Sequence, residues 1–258
     1  MKDKPIHTAE RVSHSDPSDN YVFQRSLLAY HRAAEMVRGD VLEIGTGSGY
    51  GVEIIAPKVG TYTTIDKYDC HIDPTQYRNV EFLRMKVPPL STIEVASVDF
   101  VVSFQVIEHI ADDFALMAEV VRVLRPGGRL ILTTPNKPMS LTRNPWHVRE
   151  YSADELTNLL SGYFSEVQAL GVFGNQKVMD YYEKNRRSVE KYAALDVLRL
   201  REWLPRRLLR LPYDILNRLN RRRLLIANRT LTGGITMDDY RLAPVNDECF
   251  DLFFIATK

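Results

Sequence analysis

The chain is poor in cysteine: 258 residues carry only Cys70 and Cys249. Two thiols that far apart give neither a disulfide framework nor a metal-ligand spacing, so both are expected to be reduced. No run approaches the ~18 consecutive apolar residues that a membrane-spanning helix needs. The first residues, MKDKPIHTAERV, lack the apolar core of a secretory signal. The G-K-S/T ending of a phosphate-binding P-loop is also missing. With 45% hydrophobic and 26% charged residues, the composition is that of an ordinary globular protein. The expectation is a soluble, cytoplasmic protein, long enough for one large domain or one domain with an insertion.

The net charge of +1 conceals a strong asymmetry. Between Glu183 and Thr230 stand 14 Lys or Arg and 5 Asp or Glu, a net of +9, which leaves −8 for the rest of the chain. One basic block therefore sits in an otherwise acidic protein and needs its own explanation.

Along the chain the pattern alternates between strand and helix. Residues 1–20 are polar and rich in Ser, Asp and Pro, as a mobile arm would be. Leu27, Tyr30, Ala34 and Val37 recur at helical spacing over 24–38, and Gly39 ends that helix. Strands are predicted at VLEIG (41–45), TYTTID (61–66), VEFLR (80–84), VDFVVSF (98–104) and, after a PGG turn, RLILTTP (129–135). VDFVVSF is apolar almost throughout, as a strand buried on both faces should be. Phe114, Met117, Val121 and Leu124 mark a helix, and Ser152 with Glu155 forms a capping box that opens another through about Leu160. VQALGVF and the C-terminal CFDLFFIAT complete the strands. Strands joined by crossover helices imply an open α/β sheet, whose ligands bind beyond the carboxyl ends of the strands.

Residues 1–174 and 235–258 are expected to form that core, with 175–234 a basic helical insertion. Within it Leu204, Leu208, Leu211, Ile215 and Leu219 lie on one helical face amid arginines. Pro205 and Pro212 are expected to break this run into pieces.

The stretch VLEIGTGSGYG packs four glycines, at 45, 47, 49 and 51, directly behind the first strand. Such a turn lets backbone approach a ligand closely. The dinucleotide pattern fails, because Tyr50 occupies its last small-residue position. Glu43, two residues ahead of the first glycine, is a poor neighbour for a pyrophosphate and a good one for an ammonium group. The turn favours a ligand with a cationic end and no phosphates.

These segments resemble the class I S-adenosylmethionine-dependent methyltransferases. VLEIGTGSGYG is similar to that family's first motif, SVDFVVSFQVIEHI to its fourth strand and following turn, and VLRPGGRLILTTPN to its fifth-strand motif. Asp66 stands where the family's acidic residue takes the ribose hydroxyls; a carboxylate can accept from both. The resemblance implies a Rossmann-like sheet of seven strands, mostly parallel with the last antiparallel, helices on both faces, and S-adenosylmethionine as cofactor. It implies a cofactor site of Glu43, Gly45, Thr46, Gly47, Gly49, Asp66, Lys86, Phe104 and Gln105. RMKVPPL lacks the polar residue that often holds the adenine amino group.

Transfer to a hydroxyl needs an aligned acceptor and a route for its proton. QVIEH offers Gln105, Glu108 and His109 after the fourth strand, and NPWHVREY offers His147 and Glu150 after the fifth. Histidine has a suitable unperturbed pKa. QVIEH also resembles the E-x-x-E-H of quinone O-methyltransferases and of small-RNA 2′-O-methyltransferases, which in the RNA enzymes ligates a divalent metal. Here Gln105 replaces the first carboxylate, which weakens a site for a hard cation. Metal assistance, a metal-free base at His109 or His147, and a merely structural role for these residues all stay open. Trp146 and Tyr151 are candidates for lining an acceptor pocket or for plain packing.

The segments TAERV, SFQVIEHI and NPWHVREY look most like bacterial methyltransferases that act on glycans. That resemblance implies a saccharide, lipid-linked saccharide or other small hydroxylated acceptor. The basic stretch 184–229 would suit an anionic membrane surface or a phosphorylated acceptor, unless its leucines pack on the core. RNA methylation is an alternative, but no RNA-binding motif appears and nucleic acid is not the expected partner. A non-catalytic cofactor-binding module is the remaining alternative.

Overall fold

The structure is a computed structural model that describes residues 16–70, 72, 76–194 and 204–258. The TAERV segment, Arg199, Arg201, Trp203 and the side chain of Tyr192 lie outside the described residues. The described residues form two compact units, one of those within 26–139, 148–173 and 241–258, the other of those within 16–25, 140–147, 174–194 and 204–240.

The larger unit is built on an eight-stranded sheet. Its strands are β1 (Asp40–Ile44), β2 (Thr61–Asp66), β3 (Val80–Arg84), β4 (Val98–Phe104), β5 (Leu124–Pro135), β6 (Glu166–Gly174), β7 (Tyr240–Pro244) and β8 (Asp251–Thr257). The order is β3-β2-β1-β4-β5-β8-β6-β7. β1 to β5 run parallel, and β8 lies antiparallel between β5 and β6. β1 is followed across the sheet by β2 on one side and β4 on the other, so the strand order reverses beside its carboxyl end. Val41, Leu42 and Ile44 of β1 and Val101 and Val102 of β4 are buried, because helices cover both faces.

The helices follow from local rules. α1 (Asn20–Ala34) begins four residues before the sequence-based expectation, because the Asp16 carboxylate accepts from Ser18 N–H at 2.9 Å and starts a 3₁₀ turn that runs into it. Residues 16–20 are therefore ordered, with Ser18 and Asp19 buried, and not a mobile arm. α2 (Tyr50–Ile55) follows the glycine turn. α3 (Asp113–Val123) is capped by Asp112, which accepts from Ala115 N–H at 2.9 Å. Its Leu116, Met117, Val120 and Val123 enter the core. α4 (Ala153–Ser161) opens on the expected capping box of Ser152 and Glu155.

Two expectations about strands are corrected. The sheet has eight strands, not seven, because Tyr240–Pro244 adds an edge strand beyond β6. The PGG segment lies inside β5 rather than ahead of it, and the β4–β5 register shifts between Val98 and Phe100 to admit it.

The smaller unit holds α5 (Gln176–Ala194), α6 (Arg206–Ala227) and α7 (Arg229–Gly234). Polar contacts knit it to the chain's beginning. Arg221 donates to Asp19 at 2.7 Å, Arg218 to Asp16 at 2.9 Å, and Asn20 to the carbonyls of Thr232 and Ile235 at 2.8 Å. Tyr21 stacks on Tyr181 at 4.4 Å between ring centres. Pro205 precedes α6 as expected, but Pro212 does not break it; the helix runs through for 22 residues. Pro212 is exposed beside exposed Leu208, where the carbonyl that loses its partner is open to water.

Candidate cofactor-binding and catalytic site

The glycine turn leaves β1 with Gly45, Gly47 and Gly49 all at positive φ: 99°, 58° and 84°. The N–H groups of Gly45 and Thr46 donate to the Ile65 carbonyl at 2.8 and 3.1 Å, which pins the turn to β2. A Cβ at Gly45 would come within 2.4 Å of Val106, so this position needs glycine for both space and backbone. Close packing of the following helix falls on the fourth glycine. A Cβ on Gly51 would lie 2.1 Å from the ring of Tyr30. Tyr50, which spoils the dinucleotide pattern, stacks edge-on to the same ring at 5.2 Å.

Beneath the turn lies a buried polar cluster. Glu43 is 1% exposed; one carboxylate oxygen accepts from Tyr30 Oη at 2.6 Å and the other from Thr64 Oγ1 at 2.5 Å. With Thr64 donating there, the Thr46 hydroxyl donates to Thr64 at 2.7 Å. Burial raises the Glu43 carboxyl above its ordinary value, and the hydrogen bonds from Thr64 and Tyr30 pull the other way. Burial and then the neighbouring Glu43 push the Tyr30 and Tyr62 phenols well above theirs. Glu43 and Thr46 thus brace the turn from below. The strand's alternation points the Glu43 side chain into the α1–β2 packing.

Asp66 is at the end of β2, half-buried, as expected of a ribose-binding residue. Its oxygens accept from Gly47 N–H and Tyr68 N–H, each at 2.9 Å. A carboxylate oxygen can accept more than one donor. Phe104 packs its ring edge-on against Tyr30 at 4.7 Å between ring centres. Gln105 follows with φ of 57°, a sparsely populated conformation for a side-chain-bearing residue, held by its N–H on the Thr133 carbonyl at 2.9 Å. Lys86 is exposed in the loop after β3.

Past Gln105 the chain makes a 3₁₀ turn, Ile107–His109. Glu108 is 1% exposed and accepts from Thr134 Oγ1 at 3.1 Å. Its carbonyl accepts from Val148 N–H at 2.6 Å, so the turn after β4 is stitched to the segment that directly follows His147. His109 is half-buried beside an open cavity of about 630 Å³ that Val87, Pro88, Ala111 and Ala115 also line. His147, in the smaller unit, has Nε2 2.8 Å from Asn144 Nδ2. Also there, Trp146 donates Nε1 to Asp214 at 3.0 Å beneath Arg210. Tyr151 is buried, with its hydroxyl on Asp113 at 2.6 Å, and belongs to the core and not to an acceptor pocket.

Asp113 was not singled out by the sequence reading. It accepts from both Tyr151 Oη and Arg149 Nη1 at 2.6 Å and so fixes the segment after His147. The only local signal for it is an acidic residue at a helix start. Asn136, inside the quoted TPN, was likewise missed; its Nδ2 donates to the Cys249 carbonyl at 2.9 Å and holds the loop before β8.

A parallel sheet with a glycine cradle after β1 and a carboxylate closing β2 defines a nucleoside-binding Rossmann-like protein. Residues 19–164 match the family model described as a methyltransferase domain. The chain is 40% identical over 177 residues to an S-adenosylmethionine-dependent methyltransferase of Mycolicibacterium smegmatis, a match covering 64% of this chain and 68% of the relative. A ubiquinone biosynthesis O-methyltransferase of Saccharophagus degradans is more distant, 23% identical over 140 residues that cover 52% of this chain and 54% of the relative. A crystal structure of a methyltransferase of Thermotoga maritima superposes with a TM-score of 0.56 at 15% identity, covering 93% of this chain and 91% of that one. The chain belongs to the class I S-adenosylmethionine-dependent methyltransferases.

The residues present fit that cofactor. The backbone of Gly45, Gly47 and Gly49 forms a cradle that a Cβ would fill or strain, and the Asp66 carboxylate beside it would be the acceptor for ribose hydroxyls. When bound, the cofactor supplies an electrophilic methyl group on a sulfonium. The chain's own work is to hold the acceptor in line with that methyl group.

Proposed function

We propose that the chain methylates a hydroxyl group of a saccharide, a lipid-linked saccharide or a comparable small hydroxylated molecule. The observation that carries this reading is the hydrogen bond from Val148 N–H to the Glu108 carbonyl at 2.6 Å. It ties the turn bearing Glu108 and His109, beyond the carboxyl end of β4, to the segment 148–151 that comes after β5. His109 or His147 accepts the hydroxyl proton, and buried Glu108 positions the turn. The relation to a ubiquinone O-methyltransferase supports oxygen as the acceptor atom.

A divalent cation at Glu108 and His109 would activate the same hydroxyl by lowering its pKa. A chelator separates that route from a metal-free base. The deciding experiment incubates the protein with methyl-labelled S-adenosylmethionine and fractionated cell extract. Label in a saccharide or glycolipid fraction supports the proposal, with turnover falling ~10²–10⁴-fold in His109→Ala or His147→Ala. Label confined to RNA, or to amine acceptors, overturns it.

A further inference from the structure

α6 is built inside out. Leu208, Leu211, Ile215, Leu219 and Ile226 share one helical face, and they are 64%, 70%, 51%, 55% and 81% exposed. Leu216, on the edge of that stripe, is 47% exposed. The opposite face is largely polar, yet it is the one that packs within its own unit. There Asn220 donates to Asn185 at 2.7 Å and accepts from Ser188 at 2.6 Å, and Arg221 reaches Asp19. Among these residues Asn220 and Leu224 are buried. An ordinary surface helix has the reverse arrangement, so the described residues leave a continuous apolar stripe outward that their own unit does not use.

The charges beside the stripe decide what covers it. Arg222 and Arg223 are exposed and flank the stripe at helical spacing, Arg222 on the edge nearer Asp16. The helix contains one acidic residue, Asp214, and it is turned toward Trp146, where it accepts at 3.0 Å. The outward face thus carries apolar side chains flanked by positive charge, and the helix itself adds no carboxylate there. A two-fold dimer through this face would set the arginines of one copy against those of the other. A bilayer with anionic headgroups satisfies both parts at once: acyl chains take the leucines and phosphates take the arginines. No described helix is long and apolar enough to cross a membrane, which fits a helix that lies on one.

We infer that the outward face of α6 is a docking surface for an anionic membrane, with the helix lying in the plane of the headgroups. This goes beyond the proposed reaction and does not depend on which acceptor is methylated.

The test is co-sedimentation of the full chain with vesicles of phosphatidylcholine alone and of phosphatidylcholine mixed with phosphatidylglycerol. Two double variants accompany it: Leu211→Glu with Ile215→Glu, and Arg222→Glu with Arg223→Glu. S-adenosylmethionine affinity of each variant is measured alongside as a check of fold, and should not change. The inference expects binding to the anionic vesicles, weakened at high salt. It expects loss of binding in the first variant and a weakening of at least about 30-fold in the second. Equal binding to both vesicle types, or anionic binding that survives both variants, overturns it. So does a soluble dimer in light scattering that the first variant dissociates while the wild type ignores vesicles.

Discussion

Tyr30 on α1 donates its hydroxyl to the Glu43 carboxylate of β1 at 2.6 Å, in a place from which water is excluded. The same ring meets the Cα of Gly51, the edge of Tyr50 and the edge of Phe104. One side chain therefore ties the glycine turn, α2 and the end of β4 to α1. Tyr30→Phe keeps the ring and removes the donor, leaving a buried carboxylate one partner short. The expected cost is about 1–3 kcal/mol of unfolding free energy. S-adenosylmethionine affinity should fall less than in variants of the turn itself. Chemical denaturation and calorimetric titration on the same preparation check both.

Glu43 makes a statement about pH. Its folded carboxyl is raised above its ordinary value, chiefly by burial. The folded state therefore binds this proton more tightly than the unfolded chain does. The resulting stabilisation is complete below the unfolded pKa of about 4.3 and is lost as pH rises through the folded value. Glu43→Gln mimics the protonated form and has no such loss. The melting temperature of the variant minus that of the wild type should therefore increase as pH rises from about 4 to 7. A constant or falling difference would show that the carboxylate is not held against burial.

The parts of the site that depend on local rules were legible in the sequence. Three alternate glycines behind an apolar strand demand positive φ, and Asp66 closes the next strand; both stand where expected. The Ser152–Glu155 capping box is a four-residue pattern and formed as written. What was not legible depends on distant partners. The role of Glu43 needs Tyr30 and Thr64, which come from different elements. The leucines of α6 announce an amphipathic helix, but not which face turns outward. That is settled by Asn185 and Ser188 on α5 and by Asp16 and Asp19, some 200 residues away. The strand Tyr240–Pro244 is five residues at a sheet edge, too short for period-2 alternation to stand out from the insertion around it.

Gly45 and Gly51 separate two uses of glycine. Gly45→Ala adds a Cβ 2.4 Å from Val106 at a φ of 99°, where the backbone itself is strained. Shortening the neighbour with Val106→Ala should not restore S-adenosylmethionine binding, because the backbone strain persists. Gly51→Ala has ordinary backbone but meets the Tyr30 ring at 2.1 Å. It should destabilise by about 1–3 kcal/mol, as overpacking does, and Tyr30→Ala should rescue part of the lost cofactor affinity. Titration of cofactor into the four variants distinguishes the cases.

Asp66→Ala removes the carboxylate that holds Gly47 N–H and that the resemblance assigns to the ribose hydroxyls. A lost charge-assisted hydrogen bond costs about 1.5–3 kcal/mol, which is a weakening of about 10- to 150-fold in cofactor affinity. Asp66→Asn keeps one acceptor oxygen and should fall between. Adenosine should lose affinity in parallel with S-adenosylmethionine if the contact is to the ribose. An effect confined to the methionine end would place Asp66 elsewhere in the site.

Asp113 tests whether the segment after His147 must be held rigidly. It is buried and accepts from Tyr151 Oη and Arg149 Nη1, both at 2.6 Å. Its presence raises the Tyr151 phenol further above its ordinary value, after burial itself. Asp113→Ala strands the Tyr151 hydroxyl in the core and leaves Arg149, which is 38% exposed, to solvent. Because Arg149 can rehydrate, the expected loss of stability is about 2–3 kcal/mol, below the 3–5 of a fully buried broken pair. Val148 and Arg149 then lose their fixed approach to the Glu108 carbonyl, so kcat should fall while cofactor affinity stays near the wild-type value. Asp113→Asn retains an acceptor oxygen for Tyr151 and should recover most of kcat. If both variants bind cofactor normally and turn over at the wild-type rate, the segment's rigidity contributes nothing to the reaction, and His147 is not the base.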